Sequence, residues 1–247
     1  MEAITNFKRI EKKYLLTGAQ YEALLLKISP HITPDAYGRS TVLSLYLDTP
    51  DHRIIRNSIE ADNYKEKLRL RSYGTASAET RVFLELKKKF DGVVYKRREV
   101  MTLRQAEAYI KYGIKPCESQ IMNEIDWAMR FYDRPRPAMM ISCEREAWFD
   151  EEHPDLRLTF DRGIRFRESN LSLSLGSSGN ALLPDDCILL EIKTSGAMPL
   201  WLADALDKEH ILPASFSKYG TAYTKALEKK NHPLSVIKGG IQHVVNF

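Results

Sequence analysis

Two neighbouring stretches decide the fold: Lys65-Glu66-Lys67-Leu68-Arg69-Leu70-Arg71-Ser72-Tyr73 and Arg81-Val82-Phe83-Leu84-Glu85-Leu86-Lys87-Lys88-Lys89. In a β-strand, residues i and i+2 share a face. Lys67, Arg69 and Arg71 therefore line one side of the first segment while Leu68 and Leu70 line the other, and Glu85, Lys87 and Lys89 oppose Leu84 and Leu86 in the second. Glu11-x-Lys13 and Glu191-x-Lys193 repeat the pattern, the latter beside Leu190 and Ile192. Charge on one strand face is the ordinary protection of a sheet edge, but a sheet has only two edges and more segments than that carry the ladder. Strands that are apolar outside and cationic inside call for a polyanion to face.

Outward from this pair, Asp91-Gly92 marks a hairpin into a strand at Val93 to Met101. Further strands are expected at Phe7 to Leu16, Thr41 to Asp48, Ala138 to Phe149, Leu156 to Arg167 and Cys187 to Thr194. Thr17 with Gln20, and Thr102 with Gln105, have capping-box spacing and open helices that end near Ser29 and Gly113. Ser119 to Tyr132, Pro199 to Lys208 and Lys218 to Lys229 read as helices, and Arg53 to Ile59 as a short helix or irregular strand. About eight strands with polar inward positions predict an α+β fold: a closed antiparallel β-barrel, a tunnel wide enough for a ligand, with helices packed outside. One domain is expected over 1–228, followed by a basic tail over 229–247.

Composition narrows the function. The net charge of +4, from 37 Lys+Arg against 33 Asp+Glu, is too mild for a general nucleic-acid coat, so no specific nucleic-acid partner is expected. Cys117, Cys143 and Cys187 show no CxxC spacing, which argues against a zinc site or a disulfide framework and fits a reducing cytoplasm. No apolar run approaches the ~20 residues of a membrane span. Neither a GxxxxGK[ST] loop nor an HExxH pair is present.

The candidate phosphate-binding groups are Lys67, Arg69 and Arg71, with Lys87, Lys96 and Arg98 on adjacent strands. Burying the Glu191/Lys193 pair costs several kcal/mol per ion without good partners. It is either an internal salt bridge or a carboxylate for a hard divalent cation, Mg²⁺ or Mn²⁺, beside a phosphate-binding lysine. Arg145 and Arg157 lie on later strands, and Ser217-Lys218 stands at a helix start, where backbone N–H groups favour anions.

The ordered set Arg9-Ile10-Glu11-Lys12-Lys13-Tyr14, Leu45-Tyr46-Leu47-Asp48-Thr49, Leu68-Arg69-Leu70-Arg71, Leu84-Glu85-Leu86-Lys87, Arg157-Leu158-Thr159-Phe160-Asp161, Leu190-Glu191-Ile192-Lys193 and Phe216-Ser217-Lys218-Tyr219 resembles the polyphosphate polymerase (VTC) domain family. That family belongs to the triphosphate tunnel metalloenzyme, or CYTH-like, superfamily. The resemblance implies an antiparallel tunnel whose basic interior grips a triphosphate or a polyphosphate. It implies phosphate-binding roles for Lys13, Arg56, Arg69, Arg71, Lys87, Arg145, Arg157, Lys193, Ser217 and Lys218, one further contact from Lys96 or Arg98, and a metal-binding role for Glu191. The superfamily's opening ExExK reads Arg9-x-Glu11-x-Lys13 here, which favours the polymerase branch. The expected activity is transfer of the γ-phosphate of ATP to a growing inorganic polyphosphate, with Arg69, Arg71, Lys87 and Lys193 as the catalytic set. The alternatives are a metal-dependent triphosphatase or tripolyphosphatase, with Glu11 or Glu85 as the base, and a non-catalytic module for polyphosphate or inositol phosphates.

Overall fold

The computed structural model describes residues 10–231 except Asp62 and Gly92. Arg9 and the rest of the first strand before Ile10, Gly92 of the hairpin, and positions 232–247 of the expected tail lie outside the described residues. The strands are β1 (Ile10–Leu16), β2 (Thr33–Asp48), β3 (Tyr64–Tyr73), β4 (Arg81–Phe90), β5 (Val93–Thr102), β6 (Arg136–Phe149), β7 (Arg157–Arg167), β8 (Asn180–Ala181) and β9 (Ile188–Thr194). The helices are α1 (Gly18–Ile28), α2 (Arg53–Glu60), α3 (Leu103–Tyr112), α4 (Gln120–Phe131), α5 (Leu200–Lys208) and α6 (Lys218–Asn231). Both capping boxes form, Thr17 with Gln20 and Thr102 with Gln105, and Gly113 ends α3 at φ 75°, a left-handed conformation suited to glycine. The expected tail starts inside α6, which runs to Asn231.

All described strand pairs are antiparallel, in the order β1-β9-β7-β6-β2-β3-β4-β5, with β8 beside β7. The expected closed barrel is corrected here, because no backbone ladder joins β1 to β5 among the described residues. The sheet curls nonetheless: Lys87 of β4 donates to Glu11 of β1 at 3.0 Å, so strands from opposite ends of the order meet through side chains. Strand number alone does not dictate closure, which also requires matched tilt and stagger.

The apolar ladders bury outward. Leu43, Leu45 and Leu47 of β2, with Leu68, Leu70, Leu84 and Leu86, pack under Ala106 and Tyr109 of α3 and Met122, Ile125 and Met129 of α4. At the other end of the sheet, Tyr14, Leu16, Phe160, Leu190 and Ile192 pack under Leu24 and Ile28 of α1 and Leu202 and Leu206 of α5. Each fully buried leucine contributes about 1.5–3 kcal/mol, so these two layers fix which way the strands face. The expectation that every helix lies outside is corrected for α6. Tyr219, Ala222 and Ala226 pack on Tyr46, Met139, Ile141 and Leu189, the sheet face that also carries the basic residues. Ile55 of α2 joins this cluster. The alanines let α6 approach the sheet closely, and the Tyr219 ring stacks on Tyr46 with centroids 4.5 Å apart.

Candidate functional site

Directly paired residues of adjacent strands project to the same side. The register therefore draws lateral rows across the concave face. Lys67, Lys87 and Lys96 form one row over β3, β4 and β5. Tyr46, Arg69, Glu85 and Arg98 form the next, and Ser44 with Arg71 the one beyond. On the far wall, Lys13, Glu191 and Thr159 share a row, as do Glu11, Lys193 and Arg157, while Arg145 sits opposite Asp161.

Glu85 is the hub of the first wall. It is 0% exposed, receives Arg69 at 2.7 Å, Arg98 through Nε at 2.7 Å and Lys96 at 2.8 Å. Burial opposes its ionisation, but Arg69, Arg71 and Lys96 outweigh it and hold the carboxyl far below the ordinary range. Lys96 is pushed down to about 8, because burial exceeds the pull of Glu85.

The second wall holds two carboxylates. Arg145 makes a bidentate contact with Asp161 at 2.6 and 2.7 Å, and Lys218 bridges Asp161 at 2.5 Å to Glu191 at 2.8 Å. Lys193 also donates to Glu191 at 3.1 Å, and Arg145 stands 3.9 Å away. Burial pushes the Glu191 carboxyl up, yet Lys218, Lys193 and Arg145 hold it well below the ordinary range. Glu11 is held at about 2, with Lys87 chief among the groups that overcome its burial.

Lys67 and Arg71 stand apart. Lys67 donates to Ser217 Oγ at 2.9 Å and Arg71 to Ser44 Oγ at 3.3 Å, and neither has a carboxylate within salt-bridge distance among the described residues. Burial, then the charges of Lys13, Lys87 and Arg69, push Lys67 down to about 7. A partly buried ammonium and a buried guanidinium without counter-ions are what an incoming anion would neutralise. Lys13 completes the group at the α6 end, donating to the Phe216 carbonyl at 2.8 Å and standing 3.3 Å from Glu11.

The structure thus brings together Lys13, Lys67, Arg69, Arg71, Lys87, Lys96, Arg98, Arg145, Lys193, Ser217, Lys218 and Glu191 on one curled face. Arg56 is not with them: it lies half-exposed on α2, paired with Asp51 at 2.6 Å. Arg157 shares the face by register but sits at its rim, half-exposed and 3.5 Å from Asp35. Sequence reading missed Asp161 as the partner of Arg145 and Lys218, although Thr159-x-Asp161 shows the same alternation as the basic ladders. It also missed the support behind Arg69, which donates to the Tyr46 hydroxyl at 3.2 Å while Tyr219 donates to Asp48 at 2.9 Å. Asp48 accepts from the backbone of Ile54 and Ile55 as well, tying α2 and α6 to β2.

The donor set bears on the metal. No group of three His, Cys, Asp or Glu side chains gathers as a metal site among the described residues. Glu191 is one buried carboxylate facing the basic side, near enough to Glu11 and Asp161 for its charge to oppose their ionisation. Mg²⁺ and Mn²⁺ suit such a place when substrate phosphates supply the remaining ligands, so the residues fit a metal carried in with its anion rather than a protein-built cage. A groove of about 740 Å³ lies on the outer face, lined by Lys88, Arg97, Glu124 and Trp127 among others, and it contains none of the candidate residues. No described helix is long and apolar enough to cross a membrane.

Solved structures similar to this chain include two putative adenylate cyclases. The one from Bacillus halodurans is 12% identical, with a TM-score of 0.46 over 95% of this chain and 96% of that one. The one from Vibrio parahaemolyticus is 12% identical, with a TM-score of 0.47 over 89% and 99%. The PH1819 protein of Pyrococcus horikoshii OT3 is 10% identical, with a TM-score of 0.44 over 88% and 99%. No curated protein matches the chain. The model of the VTC domain matches residues 8–227, nearly the whole described structure, and the chain belongs to the VTC domain family.

Proposed function

We propose that this chain is a metal-dependent polyphosphate polymerase that transfers the γ-phosphate of ATP to the end of an inorganic polyphosphate held along the concave face. The observation that carries the proposal is the pairing state of that face. Arg69, Lys87, Lys96, Arg98, Arg145, Lys193 and Lys218 are oriented by carboxylates, whereas partly buried Lys67 and buried Arg71 are left for an anion. Phosphoryl transfer asks a protein chiefly to position groups and to stabilise charge on the moving phosphoryl. Oriented cations in a partly dry trough serve both needs, because they do not reorganise during the reaction.

In this reading Arg69, Arg71, Lys87 and Lys193 fix the triphosphate, with Lys13, Lys67, Lys96, Arg98, Arg145, Ser217 and Lys218 extending the grip. Glu191 would hold the Mg²⁺ or Mn²⁺, which would supply neutralisation of phosphate charge. The acceptor phosphate is already anionic and needs no protein base. Hydrolysis is the weaker reading, because it calls for a carboxylate to activate water. Glu85 is wholly engaged by three cations and Glu11 is held at about 2, so both are poor bases. The free thiols of Cys117, Cys143 and Cys187 support a reducing compartment such as the cytoplasm.

The test is incubation of the purified protein with ATP and Mn²⁺, with and without a short phosphate primer, and separation of products on a gel stained for polyphosphate. Long chains that disappear in Glu191→Ala are the expected result. Release of orthophosphate without chains would replace the polymerase with a triphosphatase. Tight triphosphate binding without turnover would leave a binding module for polyphosphate or inositol phosphates.

A further inference from the structure

Thr159 stands on β7 between Arg157 and Asp161 on the same face, and directly opposite Glu191 of β9 in the register. The residue is 8% exposed, and its hydroxyl has no hydrogen-bond partner. A buried hydroxyl without a partner is disfavoured, since it gives up water for nothing, and native interiors leave few such groups. The near neighbours do not offer one, because Glu191 is taken by Lys218 and Lys193, and Asp161 by Arg145 and Lys218. A threonine hydroxyl can donate as well as accept. It therefore suits an incoming acceptor oxygen that the surrounding ammonium and guanidinium groups attract to this wall.

We infer that Thr159 is a ligand-contact residue of the concave face, its hydroxyl donating to a non-bridging oxygen of a bound phosphoanion beside Glu191. The inference rests on the reading of that face as a phosphoanion site. It adds a neutral, directional donor to a wall otherwise made of charge. Cations draw any oxyanion over several ångströms, whereas a short hydroxyl acts only at hydrogen-bond distance, so Thr159 would fix the position of one phosphate rather than its affinity for the trough at large.

The test is calorimetric titration with tripolyphosphate of the unchanged protein, Thr159→Val and Thr159→Ser, each first checked for an unchanged melting temperature. Valine keeps the shape and removes the hydroxyl, while serine keeps the hydroxyl and removes the methyl group. A ligand-contact role predicts about tenfold weaker binding for the valine variant, as for a lost hydrogen bond to a charged group, and binding within about twofold of normal for serine. A packing role predicts the reverse order. Equal binding by the unchanged protein and Thr159→Val would overturn the inference and leave the phosphoanion site standing. Failure of the unchanged protein to bind tripolyphosphate would overturn both.

Discussion

The two walls of the trough solve the same electrostatic problem differently. Around Glu85, one carboxylate orients three cations, and all four residues belong to three consecutive strands joined in sequence. Around Glu191 and Asp161, two carboxylates share Arg145, Lys193 and Lys218, which come from β6, β9 and α6. The first hub is local and has no spare acid. The second is assembled from distant parts of the chain, and each cation that bridges it can lean on one carboxylate when the other is taken. The β3–β5 wall thus hangs on a single carboxylate, while the β7–β9 wall spreads its cations over two.

The most damaging single change to this contrast is Glu85→Gln. Arg69, Arg98 and Lys96, of which only Arg69 is largely buried, would lose the counter-charge of a wholly buried carboxylate, and breaking a buried ion pair by removing one partner costs about 3–5 kcal/mol. Urea denaturation should show the loss, and tripolyphosphate at 100 times its dissociation constant should return about 2.7 kcal/mol. A loss below 1 kcal/mol would mean that the hub is solvated. Glu191→Gln should divide the effects the other way. Stability should fall by only about 1–2 kcal/mol, since Asp161 still holds Lys218 and Arg145, whereas metal-dependent turnover should drop at least about a hundredfold. If the two variants behave alike in denaturation and turnover, the walls are not distinct.

A pH titration sharpens the contrast further. Lys67 ionises near 7 in the folded protein and at its ordinary 10.5 when unfolded, so between these values the unfolded chain binds the extra proton. The penalty for charging Lys67 is therefore fully present below pH 7 and fades as pH rises toward 10.5, and the free protein gains stability across that window. A bound phosphoanion favours the charged lysine. Tripolyphosphate affinity should thus weaken between about pH 7 and 9, with an added slope approaching one decade per pH unit that is absent from Lys67→Met. Identical slopes for the two proteins would show that Lys67 does not titrate on binding. The smallest expected effect is at Glu11→Gln, which loosens the partly exposed pair with Lys87 by about 0.5–1 kcal/mol. Hydrogen exchange at the β1 amides should quicken while the β3–β5 amides stay protected.

Much of this wall structure was legible in the sequence because a strand's period of two is short and strict. Lys67, Arg69 and Arg71 had to share a side once Leu68 and Leu70 were buried, and both capping boxes formed where their spacing placed them. Register was not legible. That Glu85 lies between Arg69 and Arg98, rather than one row away, depends on how β3 meets β4 and β4 meets β5. The side on which α6 docks was also hidden, since Tyr219, Ala222 and Ala226 mark an apolar stripe without naming its partner surface. Arg167 was passed over entirely. It is buried and donates to the carbonyls of Asn170, Ser172, Gly176 and Ser178, gathering a loop whose serine and glycine content alone reads as slack. Single-strand patterns reveal which face a side chain takes, but not which chain segment comes to meet it.

The seam between β1 and the β4–β5 hairpin carries a consequence of its own. A ring sewn shut by backbone ladders has only its two mouths, and a long polymer must be threaded through it by a free end. Among the described residues, the ion pair that joins β1 directly to β4 across this seam is Lys87–Glu11, a contact between partly exposed side chains. Such a stitch yields to salt and to competing anions, and its parting leaves the ladders of the sheet intact. On the proposed function, a linear polyanion would then meet less a needle's eye than a clasp, one that takes hold along the length of a chain as well as at its tip.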